Sequence, residues 1–342
     1  MFWFWIGYFT LVALLLFLDL FVLNKGNKEP TLRSAAYWTA GWMSLGLSFT
    51  GVVYLIYENG WLDAKLIGTT EPGGTGSLAA VQYVSAYLLE QALSIDNIFV
   101  IALLFKQFRI KMKYQHRVLF WGILGAIVFR LIMIGGGAWL AHRFSWIFFV
   151  FGAYLVFQGI KLFRHDDEAE ADHDNSAIVK FLRRFVRVDN RTDHGGKFTV
   201  MVDGKKALTM VAVCLVSVEL TDIVFALDSI PAVLSVSQET FVMVTSNIFA
   251  IMGLRSLYFV LAGAMDMFKY LKYALALLLI LIGVKMFIMR WIHIDHFISL
   301  AAIAGIIATG VIASIISAKK EHKHLTPLVD PGDSLPPPPR EN

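Results

Sequence analysis

The stretch VELTDIVFALDSIPAVL, residues 218–234, sets Glu219, Asp222 and Asp228 inside a run of apolar residues that otherwise looks ready to enter a lipid bilayer. A second stretch, LEQALSIDNIFVIALLF at 89–105, repeats the pattern with Glu90, Asp96 and Asn97. Acids are expensive in lipid, so finding them there twice calls for a reason. Composition identifies the solvent. Of 342 residues, 57% are hydrophobic, 14% aromatic and only 16% charged, and the mean hydropathy is +0.63, values that describe a membrane protein and not a soluble domain. A spanning helix needs about 20 mostly apolar residues. Runs of that kind lie near 2–24, 34–57, 78–105, 118–141, 144–163, 208–234, 241–265, 270–289 and 295–318. They predict an all-α polytopic membrane protein of about nine transmembrane helices. Spanning strands would alternate polar and apolar residues, and these runs do not.

The first run, MFWFWIGYF onward, lacks a basic leader and a small-residue cleavage site, so it is expected to stay as helix one. Lys and Arg resist translocation and collect on the cytoplasmic side. Leaving aside Arg130, Lys161, Arg255 and Lys285, which fall in helices or at their ends, the loops after helices one, three, five, seven and nine hold 23 basic residues, and the N-terminus with the remaining loops holds 3. The expected orientation is therefore N-terminus outside and C-terminus cytoplasmic, in a bacterial inner membrane. The net charge of +4 belongs to this bias, and nothing in the chain resembles a nucleic-acid-binding module. The one cysteine, Cys214, allows no internal disulfide and reads as a small apolar filler.

Two polar segments remain. The linker at 164–207 joins an acidic, His-containing run, HDDEAEADHD, to FLRRFVR, which is suited to an amphipathic helix on anionic lipid. Its acids with His165 or His173 are a weaker metal-buffering candidate than a plain solvated linker. The Pro-rich tail at 319–342 reads as disordered and cytoplasmic.

An internal repeat organises the rest. Setting Glu90 opposite Asp222 brings EQALSIDN against DIVFALDS, with Asp96 opposite Asp228 and Asn97 opposite Ser229. The register continues from FRLIMIGGGA at Arg130 to LRSLYFVLAGA at Arg255, and from QGIKLF at Lys161 to IGVKMF at Lys285. Helices three to five (78–163) and six to eight (208–289) then form two three-helix units that enter the membrane in opposite directions. This inverted-repeat plan places a site at the interface of many secondary transporters. Helices one and two (1–77) and helix nine (290–318) would be peripheral. Asp19, near the end of helix one, is either solvated or a further contributor to the site.

Each buried charge costs about 2.5–3.5 kcal/mol on insertion scales. Glu90, Asp96, Arg130, Glu219, Asp222, Asp228 and Arg255 together would cost roughly 20 kcal/mol if unpaired, more than a typical folding margin of about 5–15 kcal/mol. They must be paired, protonated or ligated. Arg130 and Arg255 acting only as counter-ions would neutralise two acids and leave others over. Six residues of helix rise about 9 Å, so the opposed units would set Glu90 and Asp222 near the midplane, Asp96 toward the cytoplasm and Asp228 toward the outside. Pro231 removes a hydrogen bond to Leu227 and is expected to open the backbone beside Asp228. Glu90, Asp96, Asn97, Glu219, Asp222 and Asp228, with Ser229 and Asn247 in support, form an oxygen-rich set suited to Mg²⁺, Ca²⁺ or Mn²⁺. Ser229 and Asn247 suit helix–helix hydrogen bonding equally well. The acids outnumber the charge of one divalent ion, which invites exchange with protons. No resident cofactor is implied.

LLEQALSIDNIFV, KFLRRFVRV, VELTDIVFALDSIPAVL and TSNIFAIMGLRSLYF resemble the TerC family of integral membrane proteins, from DLFVLNK in helix one to about Ile288. The HDDEAEADHD insert stands outside the resemblance. The family is named for tellurite resistance and sits in a superfamily of small-solute and cation exporters. The resemblance implies Mn²⁺ export, the role associated with its Alx-type members, and it points to the same six ligands. Two other classes compete. Presenilin-like intramembrane proteases also carry paired Asp residues on helices, but their Tyr-Asp, Gly-x-Gly-Asp and Pro-Ala-Leu elements are absent, so no enzyme is expected. A non-transporting scaffold or sensor for tellurite or envelope stress would use the 164–207 linker as its docking surface. Tellurite itself, an anion, would need a positive site.

Overall fold

The computed structural model describes residues 2–18, 31–62, 75–164, 188–189, 195–202, 204–262, 270–289, 291–292 and 294–324. Asp19, His165, His173, the FLRRFVR segment and the chain beyond His324 lie outside the described residues, whereas 319–324, the start of the tail expected to be disordered, continues the last helix. The helices are α1 (Phe2–Leu18), α2 (Leu32–Glu58), α3 (Thr75–Gln107), α4 (Met112–Arg143), α5 (Ile147–Arg164), α6 (Met210–Leu234), α7 (Thr240–Met252), α8 (Leu254–Ala262), α9 (Leu271–Ile288) and α10 (His296–His324). The first six match the first six apolar runs, α7 and α8 together match the seventh, and α9 and α10 match the last two. Among the described residues, seven helices are long and apolar enough to cross a membrane, or eight when α7 and α8 count as one bent span. The described part of α1, 17 residues, is shorter than that measure requires. Expected and observed numbers thus differ at the first run, whose second part is not described.

The ends of the helices follow local chemistry. The Thr31 hydroxyl accepts from the Ser34 amide at the start of α2, and that of Thr209 accepts from Ala212 at the start of α6, each at 3.3 Å. Two sequence expectations about interruptions change places. Pro231 lies inside α6, which runs on through it to Leu234. The interrupted span is α7–α8, bent by 44° at Gly253. A proline in a membrane helix removes one hydrogen bond, and neighbouring groups can absorb the loss without a break.

α4 and α6 lie along each other, with Gly122 against Val218 and Gly137 against Ile230. α5 and α9 meet still more closely. A Cβ on Gly152 would lie 2.9 Å from the Gly283 carbonyl oxygen, and one on Gly159 would lie 2.7 Å from that of Ala276. The register that sets Lys161 opposite Lys285 also sets Gly159 opposite Gly283 and Gly152 opposite Ala276. The two contacts are therefore one contact seen from each helix, the reciprocity that a two-fold relation between α5 and α9 requires. One buried cluster joins α1 and α2 to α3, α4, α6, α7 and α8, and includes Tyr8, Phe49, Tyr83 and Phe249. A second joins Leu89 and Leu93 of α3 to α5, α9 and α10. α3 takes part in both clusters.

The described part of the linker, expected to be solvated, carries strands that were not expected. Strands β1 (Val188–Asp189), β2 (Thr199–Val202) and β3 (Lys205–Thr209) form a small sheet in the order β1-β3-β2. β2 and β3 are an antiparallel hairpin turning at Gly204, whose φ is +71°. The sheet is tied to α4: the Arg117 guanidinium donates to the Gly196 carbonyl at 3.1 Å and lies 4.8 Å over the Phe198 ring.

Candidate functional site

The six residues singled out as ligands fall into three groups. In the first, α4 presents Arg130, only 1% exposed, to Glu90 of α3 and Asp222 of α6. Its Nη1 pairs with Glu90 Oε2. Nη2 donates to Asp222 Oδ1 at 3.1 Å and Nε to Oδ2 at 3.3 Å, a two-pronged grip that suits a planar guanidinium. The two acids that the sequence register sets opposite each other thus share one arginine. Glu90 Oε1 is buried and has no hydrogen-bond partner.

Glu219 stands apart, lodged against α4. A Cβ on Gly125 would lie 2.0 Å from Glu219 Oε1, so the glycine makes room for the carboxylate, and Oε2 is buried without a partner.

The third group lines a cavity of about 350 Å³ between α3, α5, α6 and α9. Asp96 and Asn97 from α3, Asp228 from α6, and Gln158 and Lys161 from α5 supply its polar wall, and Leu93, Phe225 and Leu279 are among its apolar residues. Asp96 and Asp228, expected on opposite sides of the midplane, open onto this one space. Gln158 Nε2 donates to Asp228 Oδ1 at 2.9 Å and also to the Tyr154 hydroxyl at 3.1 Å, which orients the carboxylate.

Among the supporting residues, Ser229, Asn247 and Arg255 are buried. The Ser229 hydroxyl and both amide atoms of Asn247 have no hydrogen-bond partner. Ser229 follows Asp228 in sequence but does not line the cavity. Among the described residues, no three His, Cys, Asp or Glu side chains gather as a metal-holding group. The cavity offers two carboxylates and two side-chain amides, with water left to complete a shell, a donor set that suits a hard cation passing through better than one held permanently.

Sequence reasoning passed over Tyr154, Gln158 and Lys161. Their spacing of i, i+4 and i+7 puts all three on one face of α5, which is the available signal. Cys214 is buried and unpaired, as expected of a filler.

The family model described as "Integral membrane protein TerC family" matches residues 75–322. A protein of Escherichia coli (strain K12) named "Putative membrane-bound redox modulator Alx" is 38% identical over 94% of this chain and 95% of its own length. An uncharacterized membrane protein of Myxococcus xanthus is 39% identical over 92% of each chain, and one of Rickettsia felis is 38% identical over 91% of this chain and 97% of its own. No solved structure matches the chain at a significant level.

Proposed function

We propose that this chain, which belongs to the TerC family of integral membrane proteins, is a secondary transporter that exports a divalent cation, Mn²⁺ above others, in exchange for protons. The observation that carries the reading is the shared cavity. Asp96 and Asp228 come from matched positions on two helices of a proposed inverted repeat, and both open onto one space with Asn97 and Gln158. The reciprocal glycine contacts of α5 and α9 support that repeat. Acids at membrane depth mark ion pathways, and oxygen ligands select hard cations over Zn²⁺ and Cu²⁺. The Arg130 ion pairs serve a different role in this account. They neutralise two acids and hold α3, α4 and α6 together, and the cargo falls to Asp96 and Asp228, which line the cavity. The protein would act in a bacterial inner membrane with its N-terminus outside, and as a carrier, not a catalyst.

The name of the Escherichia coli relative speaks of redox modulation. The single thiol here is buried and cannot form a disulfide within the chain, so redox effects would follow from metal traffic and not from thiol exchange. A second reading, a non-transporting scaffold or sensor in tellurite or envelope stress, draws support from the ordered sheet that Arg117 ties to α4. Reconstitution in liposomes against a panel of ions separates the two. The transport reading expects Mn²⁺ flux above that of Zn²⁺ and Cu²⁺, and the scaffold reading expects none for any ion.

A further inference from the structure

A cationic residue, itself exposed, stands at the wall of the cavity. Lys161 lines it together with Asp96 and Asp228. Lys161 is in the last turn of α5, three residues before the helix ends. There a four-carbon stem can carry the ammonium inward to the carboxylates or outward toward the headgroups. Charge distinguishes these positions. Two carboxylates with the ammonium among them sum to −1. Adding a divalent cation beside the ammonium would give +1 in a site walled by Leu93, Phe225 and Leu279. A divalent cation with the ammonium moved out gives zero. Low-dielectric surroundings favour the neutral arrangement.

We propose that Lys161 is a tethered counter-ion that occupies the cavity between cargo loads and exchanges with the divalent cation, setting its affinity and speeding its release. The proposal rests on the export reading above. The two units differ at this point: α5 presents Tyr154, Gln158 and Lys161, whereas the matched positions of α9 are Leu278, Ile282 and Lys285. Only Lys161 of the two lysines lines the cavity. The tether is therefore one-sided, acting on Asp228 from α5 with Gln158 holding the carboxylate in place.

The test uses the full chain in nanodiscs for Mn²⁺ binding and in liposomes for Mn²⁺ flux. Lys161→Gln should tighten binding on the order of tenfold, a coupling of ordinary size. It should also lower the maximal rate together with the half-saturating concentration, because nothing remains to displace the ion. Lys161→Arg, which restores the charge, should reverse most of that tightening. A merely structural lysine would not lower both kinetic constants together. Binding that is unchanged or weaker in Lys161→Gln, in a wild type that binds Mn²⁺, overturns the tether and leaves export standing. Absence of both binding and flux in the wild type overturns export and the tether with it.

Discussion

Arg130 holds two carboxylates from two other helices, Glu90 and Asp222, in a place almost without solvent exposure. Removing one partner of such a buried group typically costs about 3–5 kcal/mol, because the remaining charges lose their compensation. Arg130→Met should therefore lower the thermal stability of the detergent-extracted protein sharply. Adding Glu90→Gln and Asp222→Asn to it should recover much of the loss, as no charge is left stranded. A single variant as stable as the wild type would show that the ion pairs are dispensable. The candidate side chains were legible in sequence to the extent that charge is conspicuous in an apolar run. How they pair was not. Nothing in SIDN or ALDS separates an acid that grips an arginine from one that faces a cavity, since the difference lies in helix rotation. Tyr154, Gln158 and Lys161 were missed for a related reason, because an amide or hydroxyl in a membrane helix more often bonds a neighbouring helix than defines a site.

Close approach of helices decides the element scale. α5 and α9 depend on glycines that bring backbone to backbone, and a Cβ on Gly283 would lie 2.6 Å from the Gly152 carbonyl oxygen. Gly283→Val should force the helices apart, destabilise the protein by about 1–3 kcal/mol as overpacking does, and disturb the cavity that both helices wall. Thermal stability measured beside Mn²⁺ flux checks this, and wild-type values in both would mean the contact is looser than described. Gly125→Ala should act on a single side chain by displacing Glu219. The apolar runs were readable because the membrane imposes length and composition on every span. The break was misplaced because proline is a stronger breaker in water than in a bundle, whereas the bend at Gly253 leaves no comparable mark in the sequence. The β2–β3 hairpin was overlooked beside the long charged run, although VDGKK carries the turn signal.

At the scale of the whole molecule, orientation and repeat stand together. With 23 basic residues in one set of loops and 3 in the other, reporter fusions after the first, third, fifth, seventh and ninth runs should all read cytoplasmic. A periplasmic signal from the linker would reverse one three-helix unit and remove the inverted plan. The account's central claim is that Asp96 and Asp228 carry a divalent cation through the cavity they share. The most direct measurement is Mn²⁺ flux through liposomes containing Asp96→Asn or Asp228→Asn, with thermal stability recorded on the same preparations. Asn nearly preserves size and can hydrogen-bond, so the account predicts flux abolished in both while folding persists. Full flux in both variants would contradict it.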